Sequence, residues 1–105
     1  MKILFDQGTP SPLRAYLRHH DVYTLKWLGW TKLANGALLD RAQEEKFDCL
    51  VTTDKNLKYQ QNLATRRIAI LVLSNPRWPR VKLKTTEIVS EIDKIRPNSY
   101  IEFKV

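Results

Sequence analysis

The run Ile68-Ala69-Ile70-Leu71-Val72-Leu73 constrains this chain more than any other stretch. A strand that is uniformly apolar, with no alternating polar positions, is covered on both faces, which is the condition of an interior strand in a parallel sheet. Parallel neighbours cannot be joined by tight hairpins, so helices must alternate with strands along the chain.

The rest of the sequence supplies that alternation. Met1 to Phe5 reads as a first strand, broken at once by Asp6-Gln7-Gly8. Ser11-Pro12 is a helix start, with a hydroxyl able to accept from free backbone amides and a proline where its missing donor costs little. Leu13 and Leu17 give the helix from Pro12 to Arg18 its apolar side, and Val22 to Leu25 reads as a second strand. Trp27, Gly29 and Trp30 form a glycine-broken aromatic connection that pattern alone leaves unassigned. Ala34, Leu38 and Ala42 recur at helical spacing beside Leu39, predicting a helix from Ala34 to Lys46 with Asn35 in its first turn or as its cap. Phe47 to Asp54 is the next strand, and Leu57 to Ala64 holds a short helix. Beyond the apolar run, Asn75 to Arg80 reads as a proline-broken loop. Thr85 or Thr86 caps a final helix striped by Ile88, Val89, Ile92 and Ile95, which Pro97 ends, and Tyr100 to Val105 alternates like a closing edge strand. The expected architecture is a three-layer α/β/α sandwich with a mainly parallel central sheet, one domain over residues 1–105.

Charge narrows the class of partner. The net charge is +7, and residues 53–105 carry 11 basic against 5 acidic groups, so six of the seven surplus charges follow Thr52. Such a surface keeps a protein soluble and also favours a polyanion, because phosphates are neutralised by Lys and Arg. The closely spaced Arg77-Trp78-Pro79-Arg80-Val81-Lys82, with Arg66, Arg67 and Lys84, is the expected basic patch, and its tryptophan suits a single-stranded polyanion. The single cysteine, Cys49, has no disulfide partner and sits in an apolar run, which fits a reducing cytoplasm. No stretch has the length of a membrane span, so a soluble cytoplasmic protein is expected.

Two aspartates stand where apolar strands end: Asp6 after Ile3-Leu4-Phe5, and Asp54 after the strand that begins at Phe47. In open α/β sheets, sites form outside the carboxyl ends of the strands. Two close carboxylates repel, and a hard divalent cation such as Mg²⁺ or Mn²⁺ relieves that repulsion. The bland alternative is that each aspartate caps the turn that follows it.

ILFD at 3–6, LVTTD at 50–54 and the Asp54-Lys55-Asn56 step together resemble the PIN-like domain family, in particular the small one-domain PIN-like proteins related to the toxin components of bacterial toxin–antitoxin pairs. The resemblance implies a metal-dependent ribonuclease with Asp6 and Asp54 as catalytic, metal-binding acids, RNA as substrate and a small antitoxin protein as partner. It places the family's middle acid at Asn35 and a further acid at Asn56. Both are amides here, which ligate through carbonyl oxygens with less charge neutralisation. Asp40 is the best substitute, since Glu44 and Glu45 fall late in the helix.

Gln60, Gln61 and Asn62 are candidates to contact a nucleotide or brace Asp54, and Trp27, Trp30 and Trp78 to stack on bases or fill a core. The tryptophans and the last strand also offer surfaces for a homodimer. His19 and His20 lack a further histidine or cysteine at metal spacing and read as an exposed turn. Two other classes compete with the nuclease. One is a catalytically degenerate PIN-like module that binds protein or RNA. The other is a phosphoacceptor domain with Asp54 as acceptor, which lacks adjoining acids beside Asp6.

Overall fold

The computed structural model describes residues 1–60, 63 and 66–105, with the side chains of Asn35, Tyr59 and Gln60 outside the described set. Strands β1 (Lys2–Phe5), β2 (Asp21–Thr24), β3 (Cys49–Thr52), β4 (Ala69–Leu73) and β5 (Tyr100–Phe103) form one sheet in the order β2-β1-β3-β4-β5. Every pairing is parallel. Leu4 lies between Tyr23 and Leu50 in register, and Leu71 lies between Val51 and Ile101.

Alternation along the strands divides the core into two layers. Ile3, Phe5, Cys49, Val51, Ala69, Leu71 and Leu73 face one way and pack with Leu13 and Leu17, with Val81 of α4 (Trp78–Lys82) and with Ile88 and Ile92 of α5 (Thr85–Lys94). Leu4, Leu50, Ile70 and Val72 face the other way, against Leu25 of α1 (Leu25–Leu28), Leu38, Leu39 and Ala42 of α2 (Asn35–Glu44) and Leu57 of α3 (Leu57–Gln60). Burying each such Leu or Ile contributes about 1.5–3 kcal/mol, and the two-sided cover explains the unbroken apolar run of β4. The expected three-layer α/β/α sandwich is therefore observed, with a sheet that is parallel throughout.

The crossovers carry an asymmetry. β2 to β3 and β3 to β4 step in one direction with their helices on the α1–α3 face, whereas β1 to β2 steps the opposite way on the other face, so these three share one hand. β4 to β5 steps with the first pair, yet α4 and α5 lie on the other face, so this crossover has the opposite hand. Parallel crossovers are overwhelmingly right-handed, so the exception needs a cause. Among the described residues, the face it covers otherwise holds only a six-residue 3-10 helix, Ser11–Tyr16. The amphipathic α5 supplies the missing cover.

Local chemistry explains the helix ends. Gly29 closes α1 with φ 75, its N–H donating to Lys26 and the N–H of Trp30 to Leu25. Lys46 closes α2 in the same way with φ 64, its N–H donating to Gln43 and that of Phe47 to Ala42. Both ends are Schellman motifs, in which a left-handed residue lets two amides satisfy the last free carbonyls.

Several expectations are revised. The first helix is 3-10 rather than α, with Pro10 and not Ser11 at its N-cap and no side-chain capping bond. The Trp27 connection contains α1, capped by Thr24, whose hydroxyl accepts from the Trp27 N–H. Of the expected loop from Asn75 to Arg80, residues 75–77 are loop but 78–80 open helix α4, because Pro79 sits in its first turn, where a helix has no partner for that N–H. Lys84, not a threonine, stands at the N-cap of α5, and Thr85 Oγ1 donates back to the carbonyl of Lys82. Among the described residues, no helix is long and apolar enough to cross a membrane.

Candidate functional site

The chain leaves β1 for β2 on one side and returns to β3 on the other, so the strand order reverses between β1 and β3. Connections after these two strands diverge, which opens the sheet's carboxyl edge at that point. Asp6 immediately follows β1, and Asp54 comes two residues after β3. Both are partly buried.

A hydrogen-bonded chain joins them. The N–H of Asp6 donates to the carbonyl of Val51 at 2.9 Å, extending the ladder one residue past β1. The fully buried Thr52 donates its hydroxyl to Asp6 Oδ2 at 2.8 Å, and that hydroxyl accepts from the Asp54 N–H at 3.1 Å. Asp6 Oδ1 accepts from the Gln7 N–H at 2.8 Å. Thr9 folds the loop back, donating its hydroxyl to the Val51 carbonyl at 2.8 Å. Gly8 makes room in this loop, since a Cβ there would stand 2.0 Å from Thr53 Oγ1 and force that side chain to shift.

The other expected ligands are placed differently. Asn56 is exposed, and its N–H donates to Asp54 Oδ1 at 2.9 Å, so the Asp54-Lys55-Asn56 step is an Asx turn. Asn35 opens α2, but its side chain lies outside the described residues. The side chain of Gln60, together with Gln61 and Asn62, also lies outside them. Asp40 is exposed on α2 and accepts at Oδ1 from Nη1 of the largely buried Arg66 at 2.5 Å. Glu44 and Glu45 are exposed.

The basic residues divide between the two edges of the sheet. Arg77, Arg80, Lys82 and Lys84 are exposed after the carboxyl end of β4, on the side of Asp6 and Asp54. Trp78 is half-buried against the core, its ring 5.9 Å from that of Tyr16. Arg66 and Arg67 precede β4 at the amino edge, where a cavity of about 740 Å³ opens among residues such as Asp48, Arg67, Ile68 and Arg96. Volume thus favours the amino edge, whereas strand reversal and the carboxylates favour the carboxyl edge. Trp30 is core, edge-on to Phe47, and Trp27 is 72% exposed.

Two side-chain settings bear on chemistry elsewhere. Burial, helped by the nearby Asp48 charge, pushes the Cys49 thiol up to about 12, so it is no nucleophile at neutral pH. His19-His20 forms the expected turn with His19 exposed, and it is also part of a cluster: both Nε2 atoms lie 2.7 Å from Asp93 Oδ1, and the His20 side chain is mostly buried. Hydrogen bonds from His20 first, and then His19, hold the Asp93 carboxyl below its ordinary value. Sequence spacing missed this group because its third member is 73 residues from His20.

Fold and site together define an all-parallel α/β sandwich with two aspartates at its strand-order reversal, the Asp6 carboxylate joined through the Thr52 hydroxyl to the Asp54 backbone. Compared with family models, curated proteins and solved structures, the chain finds no match.

Proposed function

We propose that the chain is a metal-dependent ribonuclease in which Asp6 and Asp54 hold Mg²⁺ or Mn²⁺ at the carboxyl edge. The observation that carries the reading is the Thr52 hydroxyl, which ties Asp6 to the backbone of Asp54 across the reversal point. Carboxylate oxygens are the donors that hard divalent ions take, and the carbonyl oxygen of Asn56 would supplement them. The ion supplies a water of lowered pKa and offsets charge on the phosphodiester. Thr52 and the Gln7 amide hold the Asp6 carboxylate in place, while Arg77, Arg80 and Lys82 neutralise backbone phosphates on the same edge. A small antitoxin-type partner and a cytoplasmic location accord with this reading.

The test is cleavage of single-stranded RNA with Mg²⁺ or Mn²⁺ added. Cleavage should depend on the ion and disappear in Asp6→Asn and Asp54→Asn. Cleavage that survives chelation or both substitutions would overturn the proposal.

A second reading is a non-catalytic PIN-like binding module. It is favoured by the pairing of Asp40 with Arg66 and by the use of Asp54 Oδ1 as a turn cap. Calorimetry distinguishes the two, since the module predicts no Mg²⁺ or Mn²⁺ binding that is sensitive to Asp6→Asn.

A further inference from the structure

His19 and His20 stand just before β2, and Asp93 lies near the end of α5. The Nε2 atoms of both imidazoles converge on one oxygen, Asp93 Oδ1, at 2.7 Å each, and the rings lie against each other with centroids 4.1 Å apart. One ligand atom from each of the three residues falls within 4.8 Å of the others. His20 is anchored: its side chain is 8% exposed, its Nδ1 lies 2.9 Å from the Met1 amino nitrogen, and its backbone N–H donates to Leu17. His19 and Asp93 are half-exposed, at 53% and 44%, so solvent reaches the point where the three meet.

We propose that His19, His20 and Asp93 form a binding site for a divalent transition-metal ion of the zinc class. Two of the three donors are imidazole nitrogens, which suit Zn²⁺, Co²⁺, Ni²⁺ and Cu²⁺ and are poor partners for Mg²⁺ or Ca²⁺. The ion class therefore differs from the one proposed for Asp6 and Asp54, and the two sites are independent. A tetrahedral zinc with bonds of about 2.0–2.1 Å separates its ligands by roughly 3.3 Å, so the contacts to Asp93 must open by roughly 0.6 Å. The exposed Asp93 can make that adjustment while the anchored His20 stays fixed. Each imidazole binds through the lone pair of Nε2: the His19 proton passes to Nδ1 or to solvent, whereas at His20 the proton moves to Nδ1 while the Met1 amino group beside it releases one to solvent and becomes the acceptor. Three protein ligands leave a fourth position for water. The ion fastens α5 to the start of β2, so its binding stabilises the folded chain.

The experiment is titration of the chelator-stripped full chain with Zn²⁺ against a chromophoric chelator, repeated with Co²⁺ to read the coordination from its visible absorption. With excess Mg²⁺ present to occupy Asp6 and Asp54, one Zn²⁺ ion per chain should bind, Co²⁺ should give a tetrahedral spectrum, and thermal stability should rise on addition of Zn²⁺. His19→Ala and Asp93→Ala, both at exposed positions and checked for folding by circular dichroism, should each weaken Zn²⁺ binding by at least about tenfold. Asp6→Asn and Asp54→Asn should leave it unchanged. Absence of Zn²⁺ binding, or equal affinity in the wild type, His19→Ala and Asp93→Ala, would overturn the proposal.

Discussion

The hydroxyl of Thr52 donates to Asp6 Oδ2 at 2.8 Å across 46 residues of sequence, and accepts in turn from the Asp54 N–H. One buried side chain thereby couples the carboxyl ends of two adjacent parallel strands. Thr52→Val keeps the shape and removes both roles, leaving an acceptor and an amide without this partner. It should cost about 1–3 kcal/mol in urea unfolding, whereas Thr52→Ser should retain most of the stability. A cost near zero for the valine variant would show that the bond does not organise this edge.

Close approach of the loop after β1 to Thr53 makes a second prediction. Gly8→Ala brings a methyl into Thr53 Oγ1 and should destabilise by about 1–3 kcal/mol through overpacking. Thr53→Ala makes room, so the double variant should be less destabilised than the two single costs added together, and a double-mutant cycle measures the difference.

Lys46 occupies a left-handed conformation at the end of α2, with φ 64. For a residue with a side chain this costs about 1–2 kcal/mol, part of which glycine returns through its freedom in the unfolded chain. Lys46→Gly should therefore raise stability by about 0.5–1 kcal/mol in a denaturant titration, and Lys46→Ala should not.

Cys49 predicts an alkaline weakness. Its folded thiol titrates at about 12, above the ordinary 9.0. Below the ordinary value, folded and unfolded chains both keep the proton and this group's contribution is fully present. Between the two values the unfolded chain loses the proton first, so stability falls as pH rises, by up to about 1.4 kcal/mol per unit. Urea unfolding over that range should show a shallower slope for Cys49→Ala than for the wild type. Native protein should also resist thiol reagents near neutral pH and react once unfolded.

The layered fold was legible because burial on two faces leaves a direct mark on composition. Ile68 to Leu73 announced an interior parallel strand, and Ile88, Val89 and Ile92 announced the helix that covers it. Asp6 and Asp54 could be placed at one edge for the same reason, since the end of an apolar strand in an alternating chain locates the residue after it. Local pattern misjudged residues 78–80, where a proline that breaks a helix interior is tolerated in a first turn.

What tertiary structure alone decided is which distant side chains meet. Thr52 reads as an ordinary strand residue until β3 lies beside β1, and Asp40 reads as a substitute metal ligand until the fold pairs it with Arg66. His19 and His20 become a cluster only when α5 carries Asp93 to them. Periodicity reports the environment of each residue separately, because burial is a one-body property of a position. Hydrogen bonds and ligand groups are properties of pairs and triplets, and those are set by how the helices and strands pack.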